Sequence, residues 1–370
     1  MLIEIRIDKD KIINNIKKIR EINKNIIFVL KDDAYGLGID NILPIILSDD
    51  VEKIAVAFIN EAVKVKKIIN ESNKSKISVM TLNYVEKENL NIALKEDIEI
   101  TIYSLIQLNE YIEYMNQNMC NLRLHIKLNT GMNRLGFDEI DVSELIRLIK
   151  TENLQIKSIF SHISNVDDIK MTRKQINKFN EMIKIFDDNE IKYEYKHIQA
   201  SPLLFKEKDK YNYDFARVGM ALYGLQPLRT TIELENPIQL ISKVIHIRNV
   251  KKGEKVSYGI NNKLNLDTKI AIIPIGYAHG IQKQIENKKS YVLIRGKKAY
   301  VLGEICMDMI IVDVTNIEEI SIHDEVVIIG EQGKYNISVT KMANWADTIQ
   351  DDILSKLDKN IKKIIINNNK

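Results

Sequence analysis

Six polar side chains that could bind an anion or transfer a proton follow short apolar runs in the first two thirds of the chain. Each of these residue types is common on protein surfaces, but six such side chains that follow five apolar runs indicate a functional site. Lysine and arginine donate hydrogen bonds to anions, histidine exchanges protons near neutral pH, and serine binds anions through its hydroxyl. The six residues, with a glycine that follows the last arginine, are Lys31, Lys127, Arg134, His162, Ser201, Arg217 and Gly219.

The runs that precede these residues predict the fold. Segments of helical period separate most of them; in residues 172–186, for example, apolar side chains recur on one face. Eight such βα units predict an α/β fold, a TIM-like (β/α)8 barrel, in preference to an open doubly wound sheet. The runs are Ile26–Leu30, Ile54–Phe58, Ile77–Thr81, Ile98–Ile102, Leu124–Leu128, Ile156–Phe160, Tyr195–Gln199 and Phe215–Val218.

A barrel of this kind would bring the polar residues together. Catalytic groups in (β/α)8 barrels lie at the C-terminal ends of the strands, and the loops after strands 7 and 8 are the usual phosphate site. Ser201 follows the seventh predicted strand, and Arg217 and Gly219 close the eighth. The sequence therefore predicts a small phosphorylated ligand at this end of the barrel.

The pattern changes after about residue 230, where strand-like runs follow one another through glycine-containing turns. We predict a barrel domain at 1–230 and a C-terminal all-β domain at 231–370, with the first few residues of the chain available to pair with the second domain. The predicted strands are Leu240–Val250, Lys255–Tyr258, Lys269–Ile275, Tyr291–Arg295, Met309–Val314 and Glu325–Ile329.

Composition excludes several classes of function. The 54 basic and 51 acidic residues leave a net charge of +3, so no nucleic-acid-binding surface is indicated. The two cysteines have no metal-binding or redox spacing, which predicts neither a metal site nor a disulfide framework and fits a reducing, cytoplasmic environment. Charged residues near the N-terminus argue against a secretory signal, and no apolar stretch is long enough to span a membrane.

Six segments, in order along most of the chain, resemble motifs of the alanine racemase family. Each is weak alone, and their common order makes the resemblance specific. They are Val29–Gly38 (VLKDDAYGLG), Lys127–Gly136 (KLNTGMNRLG), Ala216–Gly224 (ARVGMALYG), Val256–Gly259 (VSYG), Pro274–Gly280 (PIGYAHG) and Ile305–Met309 (ICMDM).

The resemblance implies an isomerase that uses pyridoxal phosphate (PLP) and two catalytic bases. The lysine that matches Lys31 bonds the cofactor covalently and then acts as the base on one face of the substrate. The tyrosine that matches Tyr258 serves the other face from the second subunit, so a homodimer with composite sites is expected. An ordinary tyrosine has a pKa of about 10, and the family lowers it with an imidazole that matches His162.

The remaining site residues are implied by the same motifs. Arg217 matches the arginine that bonds the pyridine nitrogen, Arg134 the one that bonds the phenolic oxygen, and Lys127 a lysine that is carbamylated in many members. The positions that bind the phosphate correspond to Tyr35, Ser201, Gly219 and Met220. The positions that bind the amino-acid substrate correspond to Arg134, Tyr277, Met307 and Asp351, with Met307 supplying a backbone N–H.

Several residues depart from the family pattern. Leu37 replaces a frequent histidine, Ala200 a usual asparagine, and His279 a usual acid, while Pro202 removes one backbone donor beside Ser201. Three further positions also differ: Asn129 replaces a commoner aspartate beside Lys127, Asp351 replaces a tyrosine near substrate and phosphate, and Asn360–Lys363 replaces the usual arginine-containing ending. These departures bear on substrate choice and carbamylation more than on the type of reaction.

The function that follows is interconversion of L- and D-alanine, which supplies a D-amino acid for cell-wall peptidoglycan. A racemase that prefers serine or another amino acid remains an alternative, and so does a non-catalytic PLP-binding protein, which would show cofactor absorbance without racemisation. The PLP-dependent decarboxylases of basic amino acids also join a barrel to a β domain. They use an acidic residue at the pyridine nitrogen and a glycine-rich phosphate loop, and neither is present here.

Overall fold

The computed structural model describes residues 2–206, 213–225, 232–259, 262–286 and 288–367. Its first strand, β1 (Glu4–Asp8), leads directly into helix α1 (Lys9–Arg20). The Asp8 side chain accepts the backbone N–H of Lys11 and so caps the helix. A barrel of alternating strands and helices follows, and a second, sheet-rich domain completes the described part of the chain.

The barrel strands coincide with the eight predicted runs. All of them pair in parallel, in two four-stranded sheets with the orders β4-β3-β2-β9 and β5-β6-β7-β8. Isolated parallel bridges, Met80 to Glu99 and Ala200 to Arg217, join the edges of the two sheets and close the ring. The strands are β2 (Ile26–Val29), β3 (Lys53–Val56), β4 (Ser78–Thr81), β5 (Ile100–Ile102), β6 (Arg123–Lys127), β7 (Gln155–Phe160), β8 (Tyr195–His197) and β9 (Ala216–Val218). The predicted (β/α)8 barrel is confirmed.

Helices cover the outside of this barrel with their apolar faces. In α8, residues Ile176, Phe179, Ile183 and Phe186 are buried, as their helical spacing predicts. A short 3-10 helix, Met220–Tyr223, follows the last barrel strand. The helices are α2 (Lys31–Tyr35), α3 (Ile39–Ile46), α4 (Ile59–Glu71), α5 (Leu90–Lys95), α6 (Leu105–Asn118), α7 (Val142–Thr151), α8 (Ile169–Asp188) and α9 (Ser201–Lys206).

The second domain is built on one large, mostly antiparallel sheet. Its order is β11-β12-β15-β14-β13-β16-β10-β1-β18, and β17 pairs with β16. Two helices, α10 (Val339–Trp345) and α11 (Gln350–Ser355), cross from this sheet toward the barrel. The strands are β10 (Ile238–Lys243), β11 (His246–Val250), β12 (Thr268–Ile273), β13 (Tyr291–Ile294), β14 (Lys297–Val301), β15 (Ile310–Asp313), β16 (Glu325–Gln332), β17 (Tyr335–Ile337) and β18 (Lys362–Ile366).

The N-terminal strand ties the two domains together. It runs antiparallel to β10 and parallel to β18, with Ile5 opposite Leu240 and Lys363. Ile5 and Ile7 are fully buried in a hydrophobic core that continues from the barrel helices into the second domain. The predicted domain boundary between residues 230 and 231 lies in the segment 226–231, outside the described residues.

Two of the strands predicted for the second domain need correction. Residues 240–250 form two strands, β10 and β11, rather than one, and residues 255–258 form a loop in which Lys255 makes only a bridge to Lys263. Strands β14, β17 and β18 were not predicted. The domain is β-rich, as predicted, and α10 and α11 pack beside its sheet. Strand β14 contains two lysines and has a single buried position, Ala299, so its apolar signal is weak.

Candidate active site

A cavity of about 590 Å³ opens at the C-terminal ends of the barrel strands. Ten of the thirteen predicted site residues line it, although they are spread over more than 300 positions of sequence. They are Lys31, Tyr35, Lys127, Arg134, His162, Ser201, Arg217, Gly219, Met220 and Asp351. Within the described part of the chain, no cluster of three or more His, Cys, Asp or Glu side chains is placed to hold a metal ion.

The cavity concentrates positive charge. Lys31, Lys127, Arg134 and Arg217 all face it, whereas Asp32 and Asp351 are the only carboxylates among the described residues that line it. Burial is the main cause that lowers the pKa of Lys127 to about 8, and the charges of Arg134, Arg217 and Lys31 act in the same direction. Cations placed this close together repel one another, so an anion bound between them would be stabilised.

Arg217 is only 5% exposed, and its guanidinium is surrounded by acceptors. Nη2 donates to the backbone oxygen of Ser161 at 2.7 Å and to that of Ile198 at 3.3 Å. Nη1 lies 2.6 Å from Nδ1 of His197, and Nη2 lies 3.1 Å from Nδ1 of His162. A guanidinium only donates, so both imidazoles must accept at Nδ1 and carry their proton on Nε2.

His162 is therefore a neutral imidazole at the edge of the cavity. Burial is the main cause that lowers its pKa to about 3, and the nearby charge of Arg217 acts in the same direction. Its Nδ1 is occupied by Arg217, so its Nε2–H remains as a hydrogen-bond donor toward a ligand or another side chain.

The backbone after Lys31 makes an unusual turn. Asp32, Asp33, Ala34 and Tyr35 all have φ between 55° and 59°, in the left-handed region. Such a conformation costs about 1–2 kcal/mol per residue for side chains other than glycine. The surrounding structure must therefore hold the turn in place.

Glu61, at the start of α4, is the main support of this turn. Its carboxylate accepts the backbone N–H groups of Asp33 at 2.8 Å, Ala57 at 2.9 Å and Phe58 at 3.2 Å. These bonds attach the left-handed turn to the loop after β3. They fix the directions in which Lys31 and Tyr35 leave the backbone, since these two residues flank the turn.

Tyr35 and Gly219 line the cavity in contact with each other. A Cβ atom on Gly219 would overlap with Oη of Tyr35, so the phenol lies directly against the glycine backbone. Burial raises the pKa of the Tyr35 phenol, which stays a neutral hydrogen-bond donor. Ser201 begins α9 beside them, and Pro202 occupies the first turn of that helix, where a missing N–H leaves no intrahelical bond unmade.

The other three predicted residues lie outside this cavity. Tyr258, Tyr277 and Met307 are 67%, 42% and 58% exposed, respectively. Their loops pack against one another in the second domain: Ser257 donates to the backbone oxygen of Glu304 at 2.5 Å, and the N–H of Tyr277 donates to that of Cys306 at 3.1 Å. One chain thus presents two separate groups of predicted residues, one in the barrel cavity and one on the surface of the second domain.

Asp351 reaches the barrel cavity from α11, an element that the sequence analysis did not predict. Its Oδ1 is buried and has no hydrogen-bond partner among the described residues. Burial raises the pKa of this carboxyl, and the charge of Lys31 opposes that shift. A buried polar atom without a partner is costly, so this oxygen is placed to accept a bond from a ligand.

Three departures from the family pattern have structural roles. Leu37 is fully buried in the core. Nδ1 of His279 accepts the N–H of Gly276 at 3.2 Å and caps a short 3-10 helix. The Asn129 side chain accepts the N–H groups of Gly131 and Asn133, and so organises the loop that carries Arg134.

Comparisons with known proteins agree with this architecture. The model of the alanine racemase N-terminal domain matches residues 7–227, and that of the C-terminal domain matches residues 238–365. Alanine racemase 1 of Clostridium acetobutylicum is 33% identical over 98% of this chain and 95% of its own length.

Solved structures give the same result. Alanine racemase from Clostridium difficile 630 superposes with a TM-score of 0.89 at 28% identity, covering 100% of this chain and 97% of that one. Alanine racemase from Bartonella henselae, a structure with covalently bound pyridoxal phosphate, superposes with a TM-score of 0.88 at 26% identity, covering 99% of this chain and all of that one.

The left-handed turn provides a first test. Glu61→Ala would remove the acceptor of three backbone N–H groups and should lower the free energy of unfolding by about 2–4 kcal/mol. Glu61→Gln keeps one acceptor oxygen and should have a smaller effect. Glu71→Ala, at the exposed end of the same helix, removes only a pair with Lys67 at 4.0 Å and should change stability by less than about 0.5 kcal/mol. Equal losses in urea denaturation for Glu61→Ala and Glu71→Ala would contradict this role.

Proposed function

The chain belongs to the alanine racemase family, and we propose that it interconverts L- and D-alanine with pyridoxal phosphate bound in the barrel cavity. The observation that carries the proposal is the position of Lys31, which shares one cavity with three other cations and a neutral imidazole. We extend the proposal to the supply of D-alanine for peptidoglycan in the cytoplasm, which suits a chain whose two cysteines are both free.

The residues of the cavity fit PLP. The cofactor carries a phosphate, for which Tyr35, Ser201 and the backbone at Gly219 and Met220 would be donors. Arg217 would face the pyridine nitrogen, and Arg134 the phenolic oxygen. PLP, when bound, supplies an electron sink that makes the Cα proton of an amino acid removable. The excess of positive charge in the cavity, described above, is what a doubly charged phosphate would compensate.

Two bases on opposite faces of the substrate are required for racemisation. Lys31 is one of them, and we propose that Tyr258 is the other. A tyrosine acts as a base only as the phenolate, which forms near neutral pH only if its negative charge is stabilised. The Nδ1 of His162 faces Arg217, and we propose that its Nε2–H donates to this phenolate. Arg217 thus supports the base indirectly, because it fixes which nitrogen of His162 carries the proton.

Arg217 also bears on the choice of reaction. Even though burial lowers its pKa to about 10, the guanidinium keeps its proton near neutral pH. Facing the pyridine nitrogen of a bound cofactor, such a residue would not protonate it and would limit how far charge moves into the ring. This restraint favours return of the proton to Cα over side reactions such as transamination.

A head-to-tail homodimer would unite the two groups of residues. Tyr258 is exposed in the single chain and does not line the cavity that contains Lys31. We propose that the surface with Tyr258, Tyr277 and Met307 closes the cavity of the partner subunit, so that each dimer has two composite sites. Tyr277 and the backbone of Met307 would then contact the substrate carboxylate.

Subunit exchange tests the composite sites. Lys31→Ala should neither hold PLP covalently nor racemise alanine, and Tyr258→Phe should hold PLP but be nearly inactive. A mixture of the two should regain up to about a quarter of wild-type activity, because half of the dimers are mixed and one site in each is intact. Lys31→Ala mixed with Tyr300→Phe, an exposed tyrosine of β14, controls for simple dilution. Absence of recovery, with exchange confirmed by mass-labelled subunits, would exclude shared sites.

Lys127 is proposed to carry a carbamate. Its pKa of about 8 leaves a usable fraction of neutral amine, which adds carbon dioxide to give a carbamate and one released proton. The negative charge so formed would lie beside Arg134 and reduce the repulsion among the four cations. The neighbouring Asn129 bonds to its own loop and does not compete for Lys127.

The carbamate should depend on pH in a defined direction. A protonated lysine cannot react, so occupancy should be low at pH 6 and rise as the pH passes 8, the pKa of Lys127. Carbon-13 NMR of the protein in labelled bicarbonate should show one carbamate signal that Lys127→Arg removes. Lys66→Arg, at another buried lysine whose pKa is lowered, should retain it. A signal that survives Lys127→Arg would place the carbamate elsewhere.

Asp351 bears on which side chains the cavity accepts. Its unpartnered Oδ1 can accept a hydrogen bond from a hydroxyl group, which serine has and alanine lacks. We therefore propose that serine is turned over as a second substrate beside alanine. Asp352, one residue on, differs in that its carboxylate already accepts from Gln282, Thr348 and Lys356.

The ratio of kcat/KM for serine to that for alanine tests this role. Asp351→Tyr removes the carboxylate and fills the space, and should lower the ratio by roughly tenfold, the value of one hydrogen bond. Asp352→Asn is the matched control and should leave the ratio unchanged. If Asp351→Tyr also leaves it unchanged, the carboxylate has no part in substrate choice.

A further inference from the structure

A chain of buried polar side chains crosses the barrel interior below the cavity. Nη1 of Arg217 lies 2.6 Å from Nδ1 of His197, and Nε2 of His197 lies 3.2 Å from Oγ of Ser158. The same Oγ lies 2.7 Å from Nδ1 of His125, whose Nε2 lies 3.0 Å from Oε2 of Glu99. We refer to these five residues as the interior relay. Its three middle members are fully buried, and Glu99 is nearly so.

Both ends of the interior relay impose the same direction on its hydrogen bonds. Arg217 can only donate, so His197 accepts at Nδ1 and donates from Nε2 to Ser158. Ser158 then donates to Nδ1 of His125, and His125 donates from Nε2 to Glu99, which as a carboxylate can only accept. Reversing either imidazole would leave two donors or two acceptors facing each other in a dry interior, at considerable cost.

Glu99 is held in its charged form. Burial alone would raise the pKa of its carboxyl, but the bond from His125 lowers it to about 2, together with a bond from Ser78 at 2.5 Å and the charge of Arg123. At the other end, burial and the charge of Arg217 keep His197 neutral, with a pKa well below its ordinary value. The relay thus has a cation at one end and an anion at the other, with the neutral His197 next to the cation.

We infer that Glu99 is a positioning residue for the racemase reaction, acting through His125, Ser158 and His197 to fix the place and the hydrogen-bond pattern of Arg217. None of these four lines the cavity, so none of them touches substrate or cofactor directly. The inference rests on the proposed role of Arg217 beside the pyridine nitrogen. Its own content, the coupling of Glu99 to Arg217, is a property of the protein whether or not that role is correct.

The guanidinium of Arg217 needs His197 for its orientation, because backbone oxygens alone would not fix the direction of its N–H groups. Ser161 and Ile198 accept from Nη2, while Nη1 has His197 as its closest acceptor. A His197 ring free to change tautomer could turn its N–H toward the guanidinium and push it away. Ser158 prevents this change only while its own proton is directed to His125, and Glu99 sets that direction.

Nitrogen-15 NMR of the histidine-labelled holoenzyme reads this coupling directly, since the chain has six histidines. In the wild type, His125 and His197 should both carry the proton on Nε2, with Nδ1 unprotonated. Glu99→Gln should shift the ring signals of His197, although three hydrogen bonds separate the two residues. Ser158→Ala should do the same by interrupting the relay at its centre. A His197 signal that is unmoved in both variants, or a proton on its Nδ1, would overturn the inference.

Kinetics supply the second measurement. Glu99→Gln and Ser158→Ala should each lower kcat for alanine by roughly tenfold with little change in KM, the effect of one buried hydrogen bond left unmade. The double variant should be no slower than the slower single one, because both changes interrupt one relay. Ser290→Ala removes an equally buried hydroxyl, bonded at 2.9 Å to the Ile285 oxygen in the second domain, and should leave kcat and the His197 signals unchanged.

The outcomes separate this inference from the proposed function. If kcat falls no further in Ser158→Ala than in Ser290→Ala, the relay has no part in positioning. If the wild type neither binds PLP nor racemises alanine, the proposed function is wrong, and the NMR comparison still decides whether Glu99 and His197 are coupled.

Discussion

A guanidinium buried in a barrel requires a hydrogen-bond acceptor for its N–H groups, and this requirement fixes the residues around Arg217. Arg217 obtains its acceptors from two neighbouring barrel strands, β7 and β8: the backbone oxygens of Ser161 and Ile198, and the imidazoles of His162 and His197. Each imidazole is thereby made neutral and fixed in one tautomer. One of them, His162, faces the cavity, and the other, His197, faces the barrel interior. Arg217 therefore determines the hydrogen bonds both in the cavity, through His162, and in the barrel interior, through His197.

The part of the cavity formed by Lys31 and Tyr35 is shaped by a strained backbone turn. Four consecutive residues in the left-handed region place Lys31 and Tyr35 on the two sides of a tight turn, and Glu61 holds that turn through the backbone. Gly36 completes the turn with its backbone against the Leu354 oxygen of α11. The second domain thus contacts the turn that follows Lys31, and the same helix α11 brings Asp351 to the cavity.

The barrel could be predicted from sequence because its strands are buried on both faces. Runs such as Ile26–Val29 have four buried positions in succession, and that leaves a continuous apolar signal. Ten cavity residues could be placed because they follow such strands or match family motifs. Strands with few buried positions, such as β14, and the short helix α11 gave no comparable signal. The loop at 255–258 was predicted as a strand from its composition, yet Ser257 there has φ of 64°, which a strand does not permit.

The sequence analysis missed His125, Ser158 and Glu99, because their contacts form between different strands of the closed barrel. His125 lies two positions before Lys127 on β6, and the two-residue period of a strand puts both side chains on the inner face. That period could have suggested an inward-facing histidine, but not its partners, because Ser158 and Glu99 belong to neighbouring strands and approach it only when the barrel closes. The bridge from Met80 to Glu99 that closes one edge of the ring also places Glu99 beside His125. The bridge that closes the barrel therefore also brings Glu99 into the interior relay that ends at Arg217.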